Sequence, residues 1–178
     1  MGYPFNQLEF GKDNEYVTTV IEISKGSATK IEWHRHDEYF VVDRIEPHIF
    51  AKPCNYGFIP QTLDDDGDEL DTLVITDEPI PMGAVVKEAR VIGVLNFEDD
   101  GEMDHKVICV PVEDRHNAKL MHHEELSEGW HQQIEHHFTH YKDLKQKGTT
   151  VVHGFGTVED AWKIINECRE RAQANKWW

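Results

Sequence analysis

The 178-residue sequence contains no run of about 18 apolar residues, so no transmembrane helix is expected. Its opening, MGYPFNQLEF, lacks a basic segment followed by an apolar one, and no secretory signal is expected from it. Cysteine is scarce. Cys54, Cys109 and Cys168 are odd in number and far apart, which argues against a disulfide framework and for reduced, buried thiols in a cytoplasmic protein. Positive charge is scarce as well: 18 Lys and Arg stand against 34 Asp and Glu, for a formal charge of −16. That balance opposes attraction to nucleic acid or to an anionic membrane, so neither is expected as a partner. It suits solubility or a salty cytoplasm, and it admits an anionic small substrate where metal ions invert the local field. With 39% hydrophobic and 10% aromatic residues the chain is not disordered. No linker, repeat or low-complexity segment interrupts it, and its length suits one domain over residues 1–178.

The first half reads as strands. Residues 16–24 alternate, with Val17, Thr19, Ile21 and Ile23 on one face and Val20 and Glu22 on the other. Residues 29–34 set Ile31 and Trp33 against Lys30 and Glu32, and residues 38–45 are β-branched and aromatic. The segments DTLVIT, EARVIGVLNF and HKVICVPV follow, separated by Gly, Pro and Asp. Short strands at this spacing predict a closed or nearly closed barrel. After Pro111 the period becomes helical: Trp130, Ile134, Phe138, Tyr141 and Leu144 fall on one face. A second helix is predicted to open at Thr157, with Asp160 completing a capping box, and to bury Val158, Ala161, Trp162 and Ile165. The fold class is therefore mainly β with α: one barrel with helices packed outside.

The chemistry concentrates in two acidic clusters. From Asp64 to Asp71, five of eight residues are Asp, arranged around Gly67 just before a strand. Glycine permits a sharp turn, so that Asp66, Asp68 and Asp71 can converge. Converged carboxylates need a cation, and oxygen-only ligands favour Mg²⁺, Mn²⁺ or Ca²⁺ over Zn²⁺. Asp99, Asp100, Glu102 and Asp104 form the second cluster, again around a Gly at a strand end. Facing each other across one mouth of a barrel, the two would make a multi-metal site. An EF-hand does not fit: its sixth position would be Glu69 where Gly is needed, its twelfth Ile75 where Glu is needed, and a strand follows. The alternative is a solvated Asp-rich turn. Lys30, Arg44, Lys106, Tyr141 and Lys142 are ordinary surface residues taken singly, but with metals they describe a pocket for a compact polyanion, with phosphate fitting best.

These segments resemble family I soluble inorganic pyrophosphatases. PCNYGFIPQTLDDDGDELDTLVIT is similar to the family signature, whose core is D-G-D-P-x-D-x-L, and VIEIS, TKIE, VDR, GVL, DHK and HYKDL follow in family order over residues 17–145. The resemblance implies a distorted OB-like barrel flanked by two main C-terminal helices, and hydrolysis of pyrophosphate to two orthophosphates. It implies Mg²⁺ as cofactor, with Mn²⁺ or Zn²⁺ as substitutes and Ca²⁺ as an inhibitor. Asp66, Asp71, Asp99 and Asp104 would bind metal, and Glu22 and Glu32 would join them through water. Asp68 would orient and deprotonate the attacking water. Lys30, Arg44, Tyr56, Lys106, Tyr141 and Lys142 would hold phosphoryl oxygens. Two positions depart from the family pattern: Glu69 replaces the core proline, which would add a carboxylate beside the metals, and Lys52 stands where Tyr is common. Asp64 and Asp65 receive no role and are read as wet turn.

Of 12 histidines, six crowd residues 122–140. His136 and His140, four apart, could bind zinc, form a surface stripe with Asp143, or face a second subunit. Family members of this length usually form hexamers, which favours a homo-oligomer. The competing functions are an OB-type nucleic-acid module, opposed by the charge, and a Ca²⁺-binding structural protein, which leaves Lys30, Arg44 and Lys142 without a purpose. The terminal Trp177 and Trp178 are left unassigned.

Overall fold

A computed structural model describes residues 5–175; Trp177 and Trp178 lie outside the described residues. Among the described residues ten strands run in chain order: β1 (Gly11–Lys12), β2 (Tyr16–Ile23), β3 (Thr29–His34), β4 (Tyr39–Ile45), β5 (Asn55–Phe58), β6 (Asp71–Val74), β7 (Val85–Asp99), β8 (Glu102–Met103), β9 (Lys106–Pro111) and β10 (Thr150–Gly156). The main sheet has the order β1-β2-β5-β6-β9-β7-β10, and a further pairing of β2 with β7 closes five of these strands into a ring. The expected barrel is present.

Closure explains why β2 is buried on both faces, although its sequence alternates. One face fills the barrel; the other is covered by neighbouring elements, so Val20 is as buried as Val17 and Ile21. At Gly57 the strands approach so closely that a Cβ would lie 2.0 Å from the Val20 carbonyl oxygen. Only glycine fits there, and its neighbour Tyr56 is thereby held against Ile23 of β2 and Leu73 of β6.

Strands β3 and β4 form a separate hairpin. It is fastened by aromatic packing: Trp33 meets Phe5 at 4.9 Å and Phe40 at 5.2 Å between ring centroids. Such pairs contribute roughly 0.5–1.5 kcal/mol each beyond burial. They anchor the strands that carry Lys30, Glu32 and Arg44.

Helix α1 (Glu128–His140) begins where the Ser127 side chain accepts the Trp130 N–H. It buries Ile134, His137 and Phe138, the last against Phe97 at 5.3 Å. The helical stripe predicted through Leu144 stops early. Tyr141 is the C-cap, and Leu144 is 68% exposed in the following turns. The Tyr141 hydroxyl and Lys142 ammonium are both drawn to Asp99, which fixes the chain where the periodicity would have continued. Strand β10 was not anticipated. It pairs antiparallel with β7 through a bulge between Val152 and Gly154, and its TTVVHGFG stretch carries no clean alternation. Helix α2 (Val158–Ala174) opens with the predicted Thr157–Asp160 capping box and buries Ala161, Trp162 and Ile165, with Val158 half-buried. Cys54, Cys109 and Cys168 are buried, free thiols. Among the described residues no helix is long and apolar enough to cross a membrane.

The imidazole of His137 is buried in α1, and among the described residues its Nε2 has no hydrogen-bond partner. Burial, helped by the nearby Lys52 charge, pushes it down to about 3 from the ordinary value. An unfolded chain binds a proton at this position below about pH 6.5 while the folded chain does not, so stability falls as pH drops from there toward 3. At pH 4.5 this group is expected to cost roughly 2–3 kcal/mol. His137→Phe is expected to flatten that part of the curve in denaturant titrations at pH 7.5 and 4.5; an equal acid loss in both proteins would refute it.

Candidate active site

The acidic loop is stitched before it is charged. The Thr62 hydroxyl donates to the Ile59 carbonyl at 2.6 Å and accepts the Leu70 N–H at 2.9 Å. The Asp64 N–H reaches the Asp68 carbonyl at 2.8 Å, and Asp68 N–H reaches Asp66 Oδ1 at 3.0 Å. Gly67 turns between them at φ +93°. The carboxylates then separate into two groups.

Asp64 and Asp65 are not both wet turn. Asp64 is 4% exposed, accepts its neighbour's N–H and the Cys168 thiol, and lies 3.7 Å from Arg171. Asp65 is exposed and pairs with Arg171 at 2.8 Å, so both tie the loop to α2. Glu69 also turns out differently. Its two oxygens meet Arg35 Nε at 2.9 Å and a terminal guanidinium nitrogen at 2.8 Å. Its charge is neutralised at the cavity wall, so it does not act as a free carboxylate there. Nothing local in the sequence signals this pair, whose members lie 34 residues apart.

Asp66, Asp68 and Asp71 open into a cavity of about 170 Å³ that Asp99 and Asp104 also line. The two acidic clusters share one mouth. Glu22, Lys30, Glu32, Tyr56, Lys106, Tyr141 and Lys142 line it as well. Arg44 is the exception: it lines a smaller adjoining cavity, whose wall includes Lys30, Lys52 and Tyr141. Register accounts for these meetings. Strands β6 and β9 run parallel with Asp71 opposite Lys106, and β3 sets Lys30 opposite Arg44 of β4.

At the centre the Lys106 ammonium, 2% exposed, donates to Asp71 Oδ2 at 2.5 Å and also to Asp104. Burial works to lower its affinity for the proton, but Asp104 and Asp71 outweigh that and hold it well above the usual lysine value. The Tyr56 hydroxyl donates to the same Asp71 oxygen. Tyr141 donates to Asp99 Oδ2 at 2.8 Å, and Lys142 pairs with Asp99 and with Asp100 at 3.3 Å. Lys30 pairs with Glu32 and, at 3.5 Å, with Asp43; Arg44 is held by Asp43 at 2.5 Å and by Glu46. Glu22 accepts the Trp33 N–H at 2.6 Å.

Among the described residues, eight carboxylates and four ammonium groups line the main cavity. The imbalance shows in their protons. Burial raises Asp66 and Asp71 to about 6, with Asp104 adding to both. Asp66 touches solvent, yet the concave protein around it removes much of its hydration. Burial, then Asp71, holds Glu22 well above the carboxylate range, and burial, then Glu32, raises Asp68. Among the described residues no three His, Cys, Asp or Glu side chains converge closely enough to hold a metal ion unaided, since Lys106 and Lys142 stand among the acids. Among the described residues that line the cavity, one carboxylate oxygen is left over: Asp99 Oδ1 is buried without a partner.

Lys52, noted in the sequence only as a departure, forms part of both cavity walls. The crowded histidines separate by position: His123 and His137 are buried, while His136 and His140 face outward with ring centroids 4.6 Å apart. His140 continues the stripe to Asp143 at 2.9 Å.

Residues 19–173 match the family profile described as inorganic pyrophosphatase. The chain is 54% identical over 162 residues to an inorganic pyrophosphatase of Neisseria meningitidis serogroup B, covering 89% of this chain and 90% of the relative. It is 49% identical over 170 residues to that of Haemophilus influenzae, covering 94% and 96%. Among solved structures, the fold is similar to an inorganic pyrophosphatase from Neisseria gonorrhoeae with a TM-score of 0.91 at 52% identity, over 95% of this chain and 99% of that one. The corresponding values for the Thermus thermophilus protein are 0.89, 36%, 96% and 99%.

Proposed function

The chain belongs to the inorganic pyrophosphatase family, and from that premise we propose that it is a cytoplasmic, single-domain enzyme that splits pyrophosphate into two orthophosphates in the acidic cavity, using Mg²⁺. The observation that carries this reading is the convergence of Asp66, Asp68 and Asp71 with Asp99 and Asp104 in one cavity that Lys30, Tyr56, Lys106, Tyr141 and Lys142 also line.

The donor set fits a hard divalent cation. Its acceptors are carboxylate oxygens in excess over ammonium groups, and Asp99 Oδ1 is buried with no partner of its own. Asp66, Asp71, Asp99 and Asp104 would hold the cations, with Glu22 and Glu32 joining through water; Mn²⁺ or Zn²⁺ would substitute and Ca²⁺ would inhibit. When bound, such cations acidify water and offset phosphate charge. To admit them Lys106 would release Asp71 and Asp104, and its ammonium would then be free for a phosphoryl oxygen.

Asp68 takes the proton of the attacking water. Its raised affinity for protons moves a weak base toward the range in which general-base catalysis is effective. The new P–O bond forms as the P–O–P bridge breaks, and the bridging electrons leave with the second phosphate. Arg44, Lys142 and the Tyr141 hydroxyl offset the charge on that group, while Lys30 and Tyr56 orient the phosphoryl oxygens. The outward stripe of His136, His140 and Asp143 is offered as a contact between subunits of a homo-oligomer, with a hexamer favoured.

Orthophosphate release from pyrophosphate is expected with Mg²⁺ and absent with EDTA or with Ca²⁺; no release under any metal discards the enzyme. Nucleic-acid binding without release would revive the rival OB-type module. Asp68→Asn is expected to retain Mg²⁺ binding by calorimetry while turnover falls roughly 10²–10⁴-fold; wild-type turnover in that variant would remove Asp68 from the reaction. Light scattering is expected to show a single oligomer at neutral pH and smaller species at pH 5. A size that does not change over that interval excludes these histidines as the contact.

A further inference from the structure

Four cations of the two cavities are neutralised by carboxylates: Lys30 by Glu32 and Asp43, Arg44 by Asp43 and Glu46, Lys106 by Asp71 and Asp104, and Lys142 by Asp99 and Asp100. Among the described residues Lys52 is the cavity cation with no such partner. Its ammonium sits instead against three ring faces, 4.6 Å from the Tyr56 centroid, 5.0 Å from Tyr141 and 5.4 Å from Phe138.

Ring faces attract the charge but leave three N–H donors without an oxygen acceptor. The group is nevertheless held in place. The Lys52 N–H donates to the Ser27 carbonyl at 2.9 Å, and the Lys52 carbonyl accepts the Gly26 N–H at 2.8 Å. Its position is equally specific, in the walls of both the acidic cavity and the smaller one that contains Arg44. Burial, with Lys106 and Lys30 nearby, lowers Lys52 to about 8, so an arriving anion strengthens the charged form.

We propose that Lys52 is an anion-binding residue of this site: its ammonium, caged by Tyr56, Tyr141 and Phe138, donates to a phosphoryl oxygen of pyrophosphate and then retains orthophosphate on the side of Arg44. This rests on the pyrophosphate reading above. It assigns substrate and product affinity to a residue that the sequence showed only as a replacement for tyrosine. The competing role is structural, with the ammonium serving only to pack three rings.

The test compares wild type, Lys52→Met and Lys52→Arg, each saturated with Mg²⁺, by KM for pyrophosphate, competitive inhibition by orthophosphate, and calorimetric titration with orthophosphate. Losing one charge-assisted hydrogen bond is expected to weaken orthophosphate binding and raise KM roughly ten- to hundred-fold. The change in kcat is expected to be smaller, and Lys52→Arg to recover most of the affinity. A Met variant with a lowered melting temperature but unchanged KM and orthophosphate affinity overturns the proposal in favour of packing. Unchanged values throughout overturn it as well. If the Met variant does not fold, Lys52→Gln is read by the same criteria. Should wild type bind orthophosphate through Lys52 yet not split pyrophosphate, the hydrolase reading fails while the anion-binding role stands.

Discussion

The ammonium of Lys106 is the point on which the rest of the molecule depends. A cation only 2% exposed is tolerable inside a barrel because Asp71 and Asp104 meet it directly. Removing water from an isolated charge costs several kcal/mol, and taking away one partner of a buried pair typically costs about 3–5 kcal/mol. The parallel register of β6 and β9, with Asp71 opposite Lys106, is therefore an electrostatic requirement as well as a hydrogen-bonding pattern. The same contact draws the acidic loop before β6 toward the turn after β7. Barrel closure and site assembly are one construction.

That construction leaves the cavity negative. Loss of hydration pushes Asp66 and Asp71 to about 6, so near neutrality the cavity carries charge that it holds at a cost. A divalent ion held by these carboxylates would relieve this, because it would replace their protons and the bonds made by Lys106. The shape of the loop does not come from its cavity ion pairs. Thr62, Gly67 and the tie from Asp64 and Asp65 to Arg171 hold it through contacts outside the cavity.

Much of this was legible in the sequence. Alternation placed β2 and β3, and β-branched and aromatic composition placed β4, within a residue or so of their observed ends, and the Thr157–Asp160 pair marked the start of α2. The acidic residues around two glycines pointed to a shared mouth because each cluster stands beside a strand end. Strand β10 was not legible, because its bulge and glycines erase the alternation that marks strands. Leu144 was misplaced for a different reason: periodicity cannot know that Asp99, more than 40 residues earlier, captures Tyr141 and Lys142. Asp64 and Glu69 illustrate the same limit. A carboxylate's neighbours in sequence look alike, and only tertiary contact tells that one meets Arg171, another Arg35, and a third the cavity.

The two departures from the family pattern have opposite electrostatic outcomes. Glu69 adds a negative charge that Arg35 cancels through two hydrogen bonds, with both side chains only 9% exposed. Where proline would restrain the backbone covalently, the pair restrains it by a bidentate contact from β3's end, while Thr62 fixes Leu70 from the other side. Lys52 adds a positive charge that, among the described residues, no carboxylate pairs with and three aromatic rings hold in place. The net effect of both substitutions on the cavity is one additional uncompensated cation, placed between the carboxylates and Arg44. On the proposed reading, an acidic site that would first collect cations and then a polyanion would gain most from positive charge that its own carboxylates do not pair with, and the ring cage would keep Lys52 available in that way.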